Sequence, residues 1–116
     1  MTGEPVGFGL LGAGLVAPFH AKSLTNSSRA ELVAVADTDE GRARKFANEY
    51  NCKSFGSLEE LLACPGVEVI SVLTPNHIHF DAVIAAANAG KHVLVEKPPA
   101  MSLRETDEMI AACRRA

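Results

Sequence analysis

A chain of 116 residues, 47% apolar and 22% charged, is long enough for one domain with a core of its own. Its formal net charge of −3 argues against the basic face that non-specific nucleic-acid or anionic-membrane binding requires. No uninterrupted apolar run approaches the ~20 residues of a membrane span, and with Trp absent the core must be aliphatic and alanine-rich.

The N-terminal MTGEPVGFGLL has no basic stretch ahead of its apolar run, which therefore reads as a strand and not as a cleavable leader. That first strand is Val6 to Leu11. Gly9, Gly12 and Gly14 crowd together just where it gives way to a helix running from about Leu15 to Leu24. Glycine destabilises the interior of either element, so something must come close to the backbone there. Pro18 is tolerable because it falls in the helix's first turn. Leu32 to Ala36, LVAVA, is a buried strand ending at Asp37. Thr38 or Asp39 can cap the next helix, which carries Ala43, Phe46, Ala47 and Tyr50 on one face.

Lys53 to Phe55 is a short third strand. Ser57 with Glu60 three residues on has the capping-box pattern and opens a third helix. Val67 to Leu73 is the fourth strand. Ile78, Ala82, Ala85, Ala86 and Ala89 form the stripe of a fourth helix closed by Gly90. His92 to Glu96 is the fifth strand, and Ser102 with Glu105 opens a last helix towards Ala116. Strand-like and helix-like segments thus alternate throughout. The expected fold is α/β: a doubly wound parallel sheet of Rossmann type, five strands in the order 3-2-1-4-5, with helices on both faces. Residues 1–116 read as one dinucleotide-binding domain. Cys52, Cys64 and Cys113 are odd in number and form no C-x-x-C pair, which suits small buried side chains in a reduced, cytoplasmic setting.

Gly12-Ala13-Gly14-Leu15-Val16-Ala17 is a G-x-G-x-x-A pattern lying between a strand and a helix, the context that gives this fingerprint its meaning. Gly12 allows a tight turn, Gly14 lets a pyrophosphate approach the backbone, and Ala17 lets the helix sit close to the strand. The loop amides and the positive end of the helix dipole face the phosphates, so Ala13, Leu15 and Val16 join the candidate set. Asp37 follows at the distance, about 20 residues, where the fingerprint places the carboxylate for the adenosine ribose; Thr38 adjoins it. A carboxylate accepts from a free 2′-OH and repels a 2′-phosphate, so NAD is expected in preference to NADP. A helix is expected to carry Arg42 and Arg44 away from the ribose.

Two further stretches, Thr74-Pro75-Asn76-His77-Ile78-His79 and Glu96-Lys97-Pro98, follow strands four and five. Together with GAGLVA and VAVAD they resemble the N-terminal domain of the glucose-fructose oxidoreductase/inositol dehydrogenase/MocA family, over nearly the whole chain. The resemblance implies an NAD(P)-dependent oxidoreductase that moves hydride between nicotinamide and a sugar- or cyclitol-like alcohol. It implies that Lys97 is catalytic, near the nicotinamide and the substrate hydroxyl, with Glu96 orienting it. It implies that Thr74, Pro75 and Asn76 pass beside the nicotinamide ribose, with His77 packed near the cofactor. The H-x-H pair is not read as a metal site, because helical side chains two apart diverge and no third ligand presents itself. His20 is read as structural, with a contact to the cofactor region as the lesser alternative.

Family members are much longer, so the resemblance places the substrate domain, and a sixth strand, outside this chain, and the chain by itself is expected to be inactive. It also implies a homo-oligomer. Strand five would then present an exposed edge that pairs with another chain through Val93 and Val95, unless the last helix covers it. The partners expected are a nicotinamide dinucleotide and, in a longer parent, a small polyol or sugar, with no nucleic acid and no membrane. The alternative is a non-catalytic NAD-binding or sensing module built on the same pocket.

Overall fold

The computed structural model describes residues 5–74, 79–95, 108 and 110–114. The chain order is β1 (Val6–Leu11), α1 (Ala17–Thr25), β2 (Ala30–Ala36), α2 (Glu40–Tyr50), β3 (Lys53–Phe55), α3 (Leu58–Leu62), β4 (Val69–Val72), α4 (His79–Asn88) and β5 (His92–Val95). Residues 110–114 are helical as well, and Ala112 is buried. All strand pairs are parallel, in the order β3-β2-β1-β4-β5, as the alternating pattern predicts.

The register brings the strand ends to one level. Leu11 pairs with Ala36 and with Val72, Ala36 pairs with Phe55, and Val72 pairs with Val95. The residues that leave these strands therefore emerge along a single carboxyl edge, where doubly wound sheets bind ligands.

Two apolar clusters cover the two faces. Leu10, Ala17, Ala21, Leu32, Val35, Phe46 and Ala47 pack beneath α1 and α2. Ala34, Ala36, Leu61, Ile70, Val72, Ala82, Val83 and Ala86 pack beneath α3 and α4. A register shift opposite Val33 resets the alternation in β2, so Leu32 and Val35 lie on the same face although they are three residues apart. The many alanines let each helix lie close to the sheet without large side chains between.

Several boundaries differ from expectation. Helix α1 starts at Ala17, after a turn at Leu15 and Val16. The buried stripe of α4 is Ala82, Val83, Ala86 and Ala87, with Ala89 exposed; Ile78 lies outside the described residues. Gly90 takes φ +78°, the left-handed turn that ends a helix. On β5, Val93 and Val95 face inward onto the α3/α4 cluster, and Leu94 is the exposed apolar side chain. Cys64 is buried and Cys52 half-buried, but Cys113 is exposed, so the third cysteine is not a core residue.

Candidate functional site

The three glycines at the end of β1 have different surroundings. A Cβ on Gly9 would stand 2.9 Å from Leu61 Cδ1 and 3.0 Å from Val67 Cγ1, so the chain's own core is what comes close there. Gly12 has φ +106°, and a Cβ would meet the Leu73 carbonyl at 3.2 Å. It turns the chain sharply out of the strand, with its N–H donating to the Ala36 carbonyl at 2.8 Å. A Cβ on Gly14 would meet nothing within 4 Å. No packing or dihedral reason therefore calls for glycine at that position, and the space above it is free for a ligand.

Helix α1 begins immediately beyond. Val16 caps it without a side-chain hydrogen bond, and Pro18 lies in its first turn. The Ala17 N–H turns back to the Gly14 carbonyl at 3.2 Å. The first turn thus presents the positive end of the helix without a side-chain oxygen to satisfy it, an arrangement suited to an anion. Ala17 is fully buried against the sheet, which a larger residue would prevent.

Asp37 leaves β2 on the same edge, one strand over. Its Oδ2 accepts the Ala13 N–H at 2.9 Å and its Oδ1 accepts the Asp39 N–H at 2.9 Å. Arg42 donates to Oδ2 through Nε at 3.0 Å and Nη2 at 2.8 Å. Burial pushes the carboxyl group's pKa up. The Ala13 and Asp39 amides and then the Arg42 guanidinium outweigh it and hold the group below its ordinary value. Asp37 is therefore a carboxylate at neutral pH. The expectation that α2 carries Arg42 away from this point is wrong. Asp39 caps α2, its Oδ1 accepting the Arg42 N–H at 3.0 Å, and the first helical turn swings the Arg42 side chain back over Asp37.

These elements border a cleft of about 760 Å³ along the carboxyl edge. Of the residues expected there, Gly12, Gly14, Asp37, Thr38 and Thr74 line it. Ala13 is buried behind the loop and gives its amide to Asp37, so its contribution is to the loop's shape. Leu15 is 94% exposed and Val16 41% exposed, at the loop's outer side. Pro75, Asn76, His77, Glu96 and Lys97 lie outside the described residues. The site expected from the sequence did not include Arg42, nor Gly56 and Ser57 on the β3–α3 connection, nor Leu58 at the start of α3, nor Asp81, Ala82 and Ala85 on α4. Gly56 could have been found from the register alone, since it follows Phe55 just as Asp37 follows Ala36. Among the described residues no group of three or more His, Cys, Asp or Glu could hold a metal ion, and no helix is long and apolar enough to cross a membrane.

The residues present fit a dinucleotide. The open space over Gly14 and the uncapped start of α1 suit the pyrophosphate, and the Asp37 carboxylate suits a ribose. Comparison with known proteins agrees. Residues 6–116 match the family model described as "Oxidoreductase family, NAD-binding Rossmann fold". The chain is 38% identical over 110 residues to a 1,5-anhydro-D-fructose reductase of Ensifer adhaerens, a match spanning 94% of this chain and 33% of that protein. GenD2 from gentamicin A biosynthesis, in complex with NAD, superposes with a TM-score of 0.93 at 31% identity, over 97% of this chain and 32% of that one. KijD10, a 3-ketoreductase from Actinomadura kijaniata in complex with NADP, superposes with a TM-score of 0.92 at 26% identity, over 97% of this chain and 36% of that one. The chain thus spans about a third of the length of each.

Proposed function

The chain belongs to the Gfo/Idh/MocA oxidoreductase family, by the match of its residues 6–116, and from that premise we propose that it is the cofactor half of a dehydrogenase or reductase acting on a sugar-like alcohol or ketone. The observation that carries the reading is the meeting of Gly12, Gly14 and Asp37 on one cleft at the carboxyl edge of the sheet. A nicotinamide dinucleotide bound there supplies or takes up the hydride. The Gly14 backbone and the start of α1 hold the phosphates, and the Asp37 carboxylate accepts from the adenosine ribose. Thr74, at the end of β4, borders the same cleft further along the edge. Pro75, Asn76 and His77 continue from it in sequence, and we assign them to the nicotinamide side. Lys97, oriented by Glu96, is the group that as its ammonium polarises the substrate carbonyl and gives the Nζ proton to the forming alkoxide in reduction, and as the neutral amine takes the hydroxyl proton in oxidation.

The name of the Ensifer relative, 1,5-anhydro-D-fructose reductase, supports a sugar-derived substrate. NAD is the preferred cofactor on the strength of the Asp37 carboxylate. Three cysteines without disulfides suit a reducing compartment such as the cytoplasm.

Calorimetric titration of NADH into the chain tests the cofactor reading. Saturable binding that falls at least about tenfold in Asp37→Ala is expected, since the variant removes an acceptor for the ribose; a folded chain that takes up no NADH overturns it. In a chain joined to a substrate domain, Lys97→Ala is expected to lower turnover about 10²–10⁴-fold, the usual contribution of a positioned acid or base. Undiminished turnover would remove the lysine from this role.

A further inference from the structure

One wall of the cleft is held from behind. Strand β3 is the edge strand of the described sheet and pairs with β2 on one side. The peptide between Phe55 and Gly56 leaves it at the carboxyl edge. A trans peptide is planar, so its C=O and N–H point in opposite directions. The Phe55 carbonyl faces β2 and accepts the Asp37 N–H at 3.1 Å. The Gly56 N–H therefore faces the open edge, where no strand of the described sheet offers an acceptor. Glu60 on α3 supplies one. Its Oε1 accepts the Gly56 N–H at 3.3 Å and the Ser57 hydroxyl at 3.1 Å, while the Ser57 Oγ accepts the Glu60 N–H at 3.2 Å. Glu60 is exposed and does not border the cleft. It borders a second hollow, with Glu40 and Arg44, and the one residue lining both is Gly56. Glu40 lies against the same glycine, for a Cβ there would stand 2.6 Å from its Oε1.

Resting on the cofactor reading above, we propose that Glu60 is a positioning residue for the adenosine half of the dinucleotide. It touches no ligand. It acts through the Phe55–Gly56 peptide, which it holds from the open side while the Asp37 main chain holds it from the other. Asp37 is the acid assigned to the ribose, and Gly56, Ser57 and Leu58 carry the cleft wall on beyond it. Glycine has wide backbone freedom. Without the bond to Glu60 the wall would sample other arrangements, and the ligand would have to order it on binding. The same line of bonds runs on to the glycine loop, because Asp37 Oδ2 accepts the Ala13 N–H at 2.9 Å. The role asks for an acceptor and not for a charge, since the Gly56 N–H is a neutral donor.

The test is calorimetry of the full chain with NADH and with AMP, on the wild type, Glu60→Ala and Glu60→Gln, with melting temperatures measured alongside. Glu60→Ala is expected to lower the affinity for both ligands by the same factor, about threefold to tenfold, as befits one hydrogen bond. Glu60→Gln keeps an amide oxygen for the Gly56 N–H, so its affinities should stay within about twofold of wild type. A Glu60→Ala chain that melts lower but binds both ligands as the wild type does reduces Glu60 to a helix cap and overturns the proposal. A Glu60→Gln chain that loses as much affinity as Glu60→Ala overturns it too, as does a loss seen with NADH and not with AMP. Amide hydrogen exchange on the wild type needs no variant. Saturating AMP should slow exchange at Gly56, and an unchanged rate overturns the proposal even if Glu60→Ala does not fold. A wild type that binds neither NADH nor AMP is a different failure, because it removes the cofactor reading and this inference with it.

Discussion

The Asp37 carboxylate accepts the Ala13 amide at 2.9 Å, joining residues 24 apart in sequence and buried from solvent. This bond ties the end of β2 to the middle of the glycine loop. The acid that would receive the ribose also holds the loop that would receive the phosphates, so the two halves of the site are set relative to each other before any ligand arrives. That is preorganisation, and it lowers the ordering cost of binding.

Asp37→Ala should therefore affect stability as well as binding. It leaves the buried Ala13 amide without its acceptor and the Arg42 guanidinium without its partner, at a cost of about 1–3 kcal/mol. Urea denaturation at neutral pH measures it. A midpoint equal to that of the wild type would show that the bond contributes nothing to the fold.

Gly12 and Gly14 should respond differently to alanine. Gly12→Ala forces a Cβ into φ +106° and against the Leu73 carbonyl, and should cost about 1–3 kcal/mol of stability. Gly14→Ala meets no neighbour and no left-handed φ, so its stability should stay within about 0.5 kcal/mol of wild type. Its NADH affinity should nevertheless fall about tenfold or more, because the new methyl occupies the phosphate's approach. Comparing melting temperature with calorimetric affinity for the pair separates the two effects. A Gly14→Ala chain with unaltered affinity would remove the pyrophosphate from that spot.

The pH dependence has a definite sign. The Asp37 carboxyl group titrates below its ordinary value of 3.8 in the folded chain, so near and below that value the unfolded chain binds the extra proton first. Its contribution is fully present above the ordinary carboxylate range and is lost as pH falls through the lower folded value. In denaturation series from pH 7 downward, the stability gap between wild type and Asp37→Asn should be constant above about pH 5 and shrink below pH 4. A gap that widens on acidification would mean that the carboxyl group is not stabilised as its anion.

The cysteines should react in order of access. Cys113 is exposed, Cys64 is buried, and burial pushes the half-buried Cys52 thiol up to about 11. With a thiol-specific alkylating reagent at pH 8, Cys113 should be modified first and Cys52 slowly, for want of thiolate. Cys64 should react only on unfolding. Peptide mapping by mass spectrometry gives the order, and early labelling of Cys64 would contradict the packing of the α3/α4 cluster.

The alternation of strand-like and helix-like runs was enough to read the topology, because a parallel sheet needs helices on both faces and each crossover helix must cover one of them. Val6–Leu11 and Leu32–Ala36 announce themselves as strands, and Gly12, Gly14 and Asp37 carry their meaning through spacing in a known strand–turn–helix context. These are local properties, or properties of order along the chain. What the sequence pattern could not supply is distance between residues far apart in it. Gly9 resembles its neighbours Gly12 and Gly14 in sequence, yet only packing shows that Leu61 and Val67 require it while a free space lies over Gly14. Position along the helix alone suggests that Arg42 is carried away from the ribose. Its place over Asp37 follows from the Asp39 cap, which sets the angle of the first turn of α2. Likewise the β3–α3 connection and α4 become walls of one cleft only because the register levels Leu11, Ala36, Phe55 and Val72 on a common edge. Local chemistry and periodicity are written residue by residue, whereas the closing of a cleft depends on how strands separated by whole helices come to lie side by side.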